Sequence, residues 1–210
     1  MRGLNAGHEK EYSSWQNSMQ FMRNIVDDSE IDDEVRICIE YNIPLTSKRV
    51  DFIIAGADKA GNENIVIVEL KQWQKAEVVA DDMHYCVKTF IANSDRIVCH
   101  PSYQAYSYSC FLKNYSQSLT DESINLVPCA YLHNYQPEYR QTLSNPIYKE
   151  WFEVAPFFIK NEVAVFSDFV KKYITKKSSK GDLLYLIDHG RLRPTKALQD
   201  SLTSMVKGNK

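Results

Sequence analysis

Near the N-terminus, apolar residues recur at three- and four-residue intervals at Tyr12, Trp15, Met19, Met22 and Val26, which predicts an amphipathic helix over about residues 9–27. An acidic run, DDSEIDDE, then ends that pattern and reads as a solvated connecting loop. The period changes next. VRICIEYNIP (35–44), RVDFIIAG (49–56) and IVIVELKQW (65–73) are rich in Val and Ile and are separated by a Pro-containing turn and by DKAGNEN, so they predict three consecutive antiparallel strands. Residues 75–92 read as helical or mixed, on Val78, Val79, Met83, Val87 and Phe90, with RIVCH (96–100) as a short strand. Pro101 and a capping Ser102 open a second long helix, carried by Tyr106, Cys110, Leu112 and Tyr115. INLVPCAYLHN (124–134) lacks alternation, which predicts a strand buried on both faces. The helix before it leaves room for parallel pairing with an earlier strand. Further helices are expected through VFSDFVKKYI and over about Thr195 to Val206.

Composition narrows the class. A chain of 210 residues with 44% hydrophobic and 25% charged residues suits one sizeable globular domain with a small appendage. The N-terminus lacks the apolar stretch of about 7–15 residues of a signal peptide, and no segment approaches the ~20 apolar residues of a membrane span. A cytoplasmic protein without membrane contact is expected. Five cysteines without a CxxC pair argue against a disulfide framework and a zinc knuckle, and for buried free thiols. An iron–sulfur cluster on four scattered cysteines is the minority reading. A net charge of −2 gives no global attraction for nucleic acid, so such binding would rest on local basic groups or a metal.

The candidate chemistry sits at strand ends. Alternation puts Arg49, Asp51 and Ile53 on one face and Val50, Phe52 and Ile54 on the other, so Asp51 is an acid set into an apolar strand. Ile67, Glu69 and Lys71 share a face of the next strand. If the two strands are antiparallel neighbours, Asp51 meets Glu69 and Lys71. Two carboxylates and an ammonium there suit metal-assisted phosphodiester hydrolysis: the carboxylates are hard ligands for Mg²⁺, and the lysine orients water or offsets charge growing at phosphorus.

Asp51, followed eighteen residues later by Glu69-Leu70-Lys71 on a hydrophobic strand, resembles the PD-(D/E)xK nuclease superfamily, although Val50 stands in place of its proline. Gln104 and Tyr108, one helical turn apart in QAYSY, resemble the QxxxY motif of the RecB-like branch. EYNIPLTSKRVDFIIAG, IVIVELKQW and HPSYQAYSY together resemble the N-terminal nuclease domain of bacterial nuclease–helicase fusions, and GRLRPTKALQDSLTSMVKGNK resembles the junction before the ATPase domain. The resemblance implies a restriction-endonuclease-like α/β fold with an αβββαβ core and a central mixed sheet flanked by helices. The nuclease domain would span residues 1–180 (core about 9–134, accessory 135–180), and residues 181–210 would form a helical segment leading to a helicase or ATPase partner. It further implies a deoxyribonuclease using Mg²⁺ or Mn²⁺, with DNA as the partner and a role in DNA processing or phage defence.

On this reading Asp51, Glu69, Lys71 and Gln104 form the catalytic set, and Asp51, Glu69 and the Leu70 carbonyl hold the metal. Tyr108 and Gln104 position substrate or ligands. Glu40, within cross-strand reach of Asp51, and Glu11, on the first helix, compete as the third acid. Arg49 either contacts phosphate or holds Asp51. His100 opens the second long helix, where it would either meet phosphate or bond to backbone. Trp15, Trp73 and His133 read as structural, and the lysine-rich run KKYITKKSSK as a solvated face. The rival readings are a nuclease-like domain that binds nucleic acid or a partner without cutting, and an assembly domain that exposes some of the 13 tyrosines as an aromatic patch.

Overall fold

The computed structural model describes residues 18–28, 30–44, 46–79, 83–91 and 93–191. Glu11, Trp15 and the helix expected from Thr195 lie outside the described residues. A helix, α1, covers residues 18–26. The three predicted strands follow as β1 (Arg36–Asn42), β2 (Arg49–Ala57) and β3 (Glu63–Lys71), an antiparallel meander.

Residues 75–92 depart from the helical expectation. They supply β4 (Ala76–Val78) and β5 (Cys86–Ile91), which pair with β6 (Ser94–Cys99) as a separate antiparallel sheet. On β5, Val87 and Thr89 are buried while Phe90 is 58% exposed, the two-residue period of a half-buried strand rather than a helical stripe. The described part of the β5–β6 connection contains Asn93 at φ +65°, a left-handed position that suits a tight hairpin.

α2 (Pro101–Tyr115) is the second long helix, but its cap is His100 rather than Ser102. Pro101 occupies the first turn, where its missing N–H costs nothing, and the His100 ring accepts the Ser102 amide. The buried stripe runs through Ala105, Tyr108, Ser109 and Leu112, one step displaced from the predicted Tyr106 and Cys110. After α3 (Gln117–Asp121) comes β7 (Asn125–Leu132), which pairs parallel with β3 along its length, from Asn64↔Asn125 to Lys71↔Leu132.

Two short helices, α4 (Arg140–Leu143) and α5 (Lys149–Val154), lead to β8 (Phe157–Ile159), which adds to the main sheet parallel to β7. The main sheet therefore has the order β1-β2-β3-β7-β8 and is mixed. Helix α6 (Val163–Tyr173) overlaps the predicted stretch 165–174 and begins two residues earlier, and α7 (Leu183–His189) follows.

Helices cover both faces of the main sheet. Met22 and Ile25 of α1 and Phe166 and Val170 of α6 pack with Phe52, Ile54, Val66 and Val68. Tyr108 and Leu112 of α2 and Leu183 and Ile187 of α7 pack with Ile53, Ala55, Ile65 and Ile67. β3 is thus buried from Glu63 to Glu69, and only Leu70 and Lys71 are half-exposed. A third cluster, with Trp73, Val87, Leu132, Tyr135 and Tyr148, joins the small sheet to the main one. Tyr131, Tyr135 and Tyr148 are fully buried, which places these three of the 13 tyrosines in the core. Among the described residues no helix is long and apolar enough to cross a membrane.

Candidate active site

The register between β2 and β3 brings the predicted residues together. The ladder runs from Ala57↔Glu63 to Phe52↔Val68, and one step further along the same register sets Asp51 against Glu69. At that step the chain leaves regular pairing. The carboxylate of Asp51 accepts the backbone N–H of Leu70 at 2.8 Å, so a side chain satisfies an amide at the end of β3.

The neighbouring position on β1 is distorted too. Glu40 adopts φ +54°, a conformation that costs a non-glycine residue about 1–3 kcal/mol and concentrates at functional sites. The β1–β2 pairs on either side of this step are Ile39↔Phe52 and Tyr41↔Val50. Simple alternation would place Val50 and Phe52 on one face. Instead Phe52 packs toward α1 and α6, whereas Val50 and Tyr41 pack toward α2 and α7. The expected sharing of a face by Val50, Phe52 and Ile54 is therefore corrected: the irregular backbone at Glu40 and Asp51 switches the faces, as strand irregularities near sites do.

Glu69 is 1% exposed, and the Lys71 ammonium contacts its Oε1. Its other carboxylate oxygen, Oε2, is buried and has no hydrogen-bond partner. Burial pushes the Glu69 carboxyl up to about 8; the Asp51 charge adds to the rise and the Lys71 ammonium opposes it. For Lys71, burial works against the charged form, but the Glu69 and Asp51 carboxylates outweigh it and raise the pKa. The ammonium also lies 5.5 Å from the centre of the Trp73 ring, a cation–π contact from a tryptophan that belongs to the core.

A cleft of about 810 Å³ is lined by Asp51, Leu70 and Lys71 from the main sheet and by Glu77, Lys88, Phe90 and Asp95 from the small one, and the buried Glu69 lies behind that wall. Glu40 and Arg49 also line it and pair with each other at 3.3 Å. Arg49 thus holds Glu40 rather than Asp51. The cleft wall carries four basic side chains (Arg49, Lys71, Lys75, Lys88) and four acidic ones (Glu40, Asp51, Glu77, Asp95).

Gln104 and Tyr108 share a face of α2, and the Gln104 amide donates to the Tyr108 hydroxyl at 2.7 Å. Neither lines the cleft. Tyr108 lies behind it, buried, and the charges of Glu69 and Asp51 add to the burial that raises its pKa. His100 is fully buried. Its Nε2 donates to the Leu143 carbonyl at 3.0 Å and its Nδ1 accepts the Ser102 amide at 3.2 Å, so both ring nitrogens are engaged with backbone and the phosphate reading is withdrawn. Burial lowers its pKa to about 4.

Three further polar residues gather at the same cleft without having been predicted there. Gln72 donates to the Ser18 hydroxyl at 3.1 Å, and Ser18 bonds His133 Nε2 at 2.9 Å. Ser18 and Gln72 line the cleft, and His133 is buried behind them. The signal for Gln72 was its place directly after Lys71; nothing in the local pattern marks Ser18. The lysine-rich run is engaged elsewhere: Lys171 pairs with Asp28 and Glu30, and Lys177 with Glu34.

As to metals, no group of three or more His, Cys, Asp or Glu side chains is assembled among the described residues, which leaves the iron–sulfur reading without a site. Of the five cysteines only Cys129 is buried; the other four are half-exposed, against the expectation of buried thiols. Two carboxylates do converge. Mg²⁺ keeps several waters and takes one or two protein carboxylates, so Asp51 and the unpartnered Glu69 Oε2 fit that modest requirement. Comparison of the chain with protein-family models, curated proteins and solved structures finds no match.

Proposed function

We propose that this protein is a divalent-metal-dependent deoxyribonuclease domain of the restriction-endonuclease-like, PD-(D/E)xK type. The observation that carries this reading is the buried, unpartnered Oε2 of Glu69, which lies behind a cleft whose wall includes Asp51 and Lys71, the ion-pair partner of Glu69. Leaving such an oxygen unpaired costs about 1–3 kcal/mol, a penalty that a bound cation removes. The element order lends support: a helix, a three-stranded meander, a long helix and a strand parallel to β3 correspond to αβββαβ, with the small sheet inserted before the long helix.

Asp51 and Glu69, with the Leu70 carbonyl, would hold Mg²⁺ or Mn²⁺. The metal supplies Lewis acidity toward phosphate and lowers the pKa of a bound water. The chain's own groups do the rest. Lys71, held charged by its two carboxylates, orients the attacking water and offsets negative charge growing on the phosphate oxygens. Gln104 and Tyr108, bonded to each other on α2, would act as positioning residues, with Tyr108 near enough to feel the Glu69 and Asp51 charges. Glu40 lines the cleft and pairs with Arg49, which makes it the candidate third acid of this reading. A role in DNA processing or phage defence beside a helicase or ATPase rests on the resemblance of the chain's segments alone.

The test is cleavage of labelled single- and double-stranded DNA with Mg²⁺ or Mn²⁺ and with chelator. Metal-dependent cutting that disappears in Asp51→Ala and Lys71→Ala, both folded, supports the proposal; equal cutting by those variants defeats it. The balanced charge of the cleft favours one alternative, a nuclease-like domain that binds nucleic acid or a protein partner without cutting it. Binding unaffected by metal, with no cleavage product, is the result that selects it.

A further inference from the structure

Cys86 and Cys99 are direct cross-strand partners on β5 and β6. Residues directly opposite on antiparallel strands project from the same face of the sheet. The hydrogen bond next to them runs from the His100 amide to the Tyr85 carbonyl, at 2.8 Å, just outside the pair. The Cys86 carbonyl is taken by the Tyr148 hydroxyl at 2.7 Å. Cys86 and Cys99 therefore form a non-hydrogen-bonded pair, the closer of the two antiparallel types, with Cα atoms about 4.5 Å apart. That separation lies within the range a disulfide spans, roughly 4.4–6.8 Å between Cα atoms. Both side chains are half-exposed, so a small oxidant reaches them.

The other three cysteines are placed differently. Cys38 faces Ile53 across β1 and β2, Cys129 faces Val68 across β7 and β3, and Cys110 lies on α2. Only one pair is built to close.

We propose that Cys86 and Cys99 form a reversible oxidation site, closing to a cross-strand disulfide in the small sheet when the protein meets a peroxide or a low-molecular-weight disulfide. With hydrogen peroxide, one sulfur attacks a peroxide oxygen; the O–O bond breaks, water leaves and a sulfenic acid remains. The second sulfur then displaces water from that sulfenic acid. The two thiols lose two hydrogens and two electrons, and the peroxide becomes two waters. With a disulfide oxidant the same two electrons release two small thiols.

The position gives the linkage consequence. Cys99 immediately precedes His100, the cap of the helix that carries Gln104 and Tyr108. A bond from Cys99 to Cys86 ties the start of α2 to the first residue of β5, the strand whose later residues Lys88 to Ile91 line the cleft.

The experiment uses the full chain, reduced and desalted, then treated with hydrogen peroxide or oxidised glutathione, blocked with a maleimide and digested without reductant for mass spectrometry. The expected product joins the Cys86 and Cys99 peptides with loss of two hydrogens and separates again with dithiothreitol. It should vanish in Cys86→Ser and Cys99→Ser and persist in Cys110→Ser. Independent sulfinic acids on the two residues, maleimide labelling of both after oxidation, or a link from either to another cysteine would overturn the proposal. The readout is covalent and in the wild-type chain, so it stands apart from any result on DNA cleavage.

Discussion

Asp51 closes the end of β3 by accepting the amide of Leu70 at 2.8 Å, so one carboxylate serves both the backbone and the cleft. These two roles separate under substitution. Asp51→Asn keeps an acceptor for the amide and is expected to unfold within about 0.5 kcal/mol of the wild type, while Asp51→Ala loses about 1 kcal/mol or more, read by urea denaturation. Both are expected to cut DNA at least a hundredfold more slowly, because each removes the charge.

Glu69 gives a test that needs no substrate. Mg²⁺ or Mn²⁺ should raise the melting temperature of the wild type, with about 2.7 kcal/mol gained at a hundred times the dissociation constant. Glu69→Gln, which fills the same space without the second anionic oxygen, should show no such rise. A metal-induced shift of equal size in the variant would remove Glu69 from the ligand set.

Glu40 offers the opposite combination. At φ +54°, Glu40→Gly relieves backbone strain, and the Arg49 pair that it removes is about half-exposed and worth little. Stability is expected to hold or rise by a few tenths of a kcal/mol. If Glu40 is the third acid, cleavage falls about tenfold, equivalent to roughly 1.4 kcal/mol of barrier. A variant that is more stable and fully active leaves Glu40 as a strained bystander.

His100 predicts a pH dependence of stability. Its folded pKa, about 4, lies below the ordinary value of 6.5, so in this interval the unfolded chain binds a proton that the folded protein does not. The contribution is complete above about pH 6.5 and is lost as pH falls toward 4, with a slope of at most about 1.4 kcal/mol per unit. In His100→Asn, whose side chain still caps α2, denaturation curves across this range should show a flatter slope. An unchanged slope would assign the acid sensitivity to other groups.

Much of this was legible in the chain because β-branched runs between turn residues specify strands strongly. The meander from Arg36 to Lys71 and the doubly buried β7 follow directly, and antiparallel register then carries Asp51 to Glu69. The small sheet was not legible. β4 is three residues long, too short to show a period, and Val79, Met83 and Val87 mimic a helical repeat by being four apart. Asn93, after the apolar run ending at Ile91, was the available hairpin signal. The left-handed turn of Glu40 left no trace in composition, because it is a property of backbone shape. For His100 the helix-opening place and the bond to backbone were among the expected alternatives, but its partner Leu143, forty-three residues away, was not legible.

The main sheet forks at the end that bears Asp51, Glu69 and Lys71. β7 stays with β3 through Lys71↔Leu132, while β2, with β1 beside it, parts from β3 beyond Phe52↔Val68. A fork of this kind exposes main-chain groups in the middle of a sheet that elsewhere has none to offer, and does so between one fixed arm and one that has already bent away. Whatever enters the cleft meets a fully paired β3–β7 side on one flank and, on the other, the β1–β2 hairpin, whose pairing to β3 has ended. The two flanks thus differ in backbone support: Glu69 and Lys71 stand on a strand paired to its end, while Glu40 and Arg49 stand on a hairpin bonded along one side only.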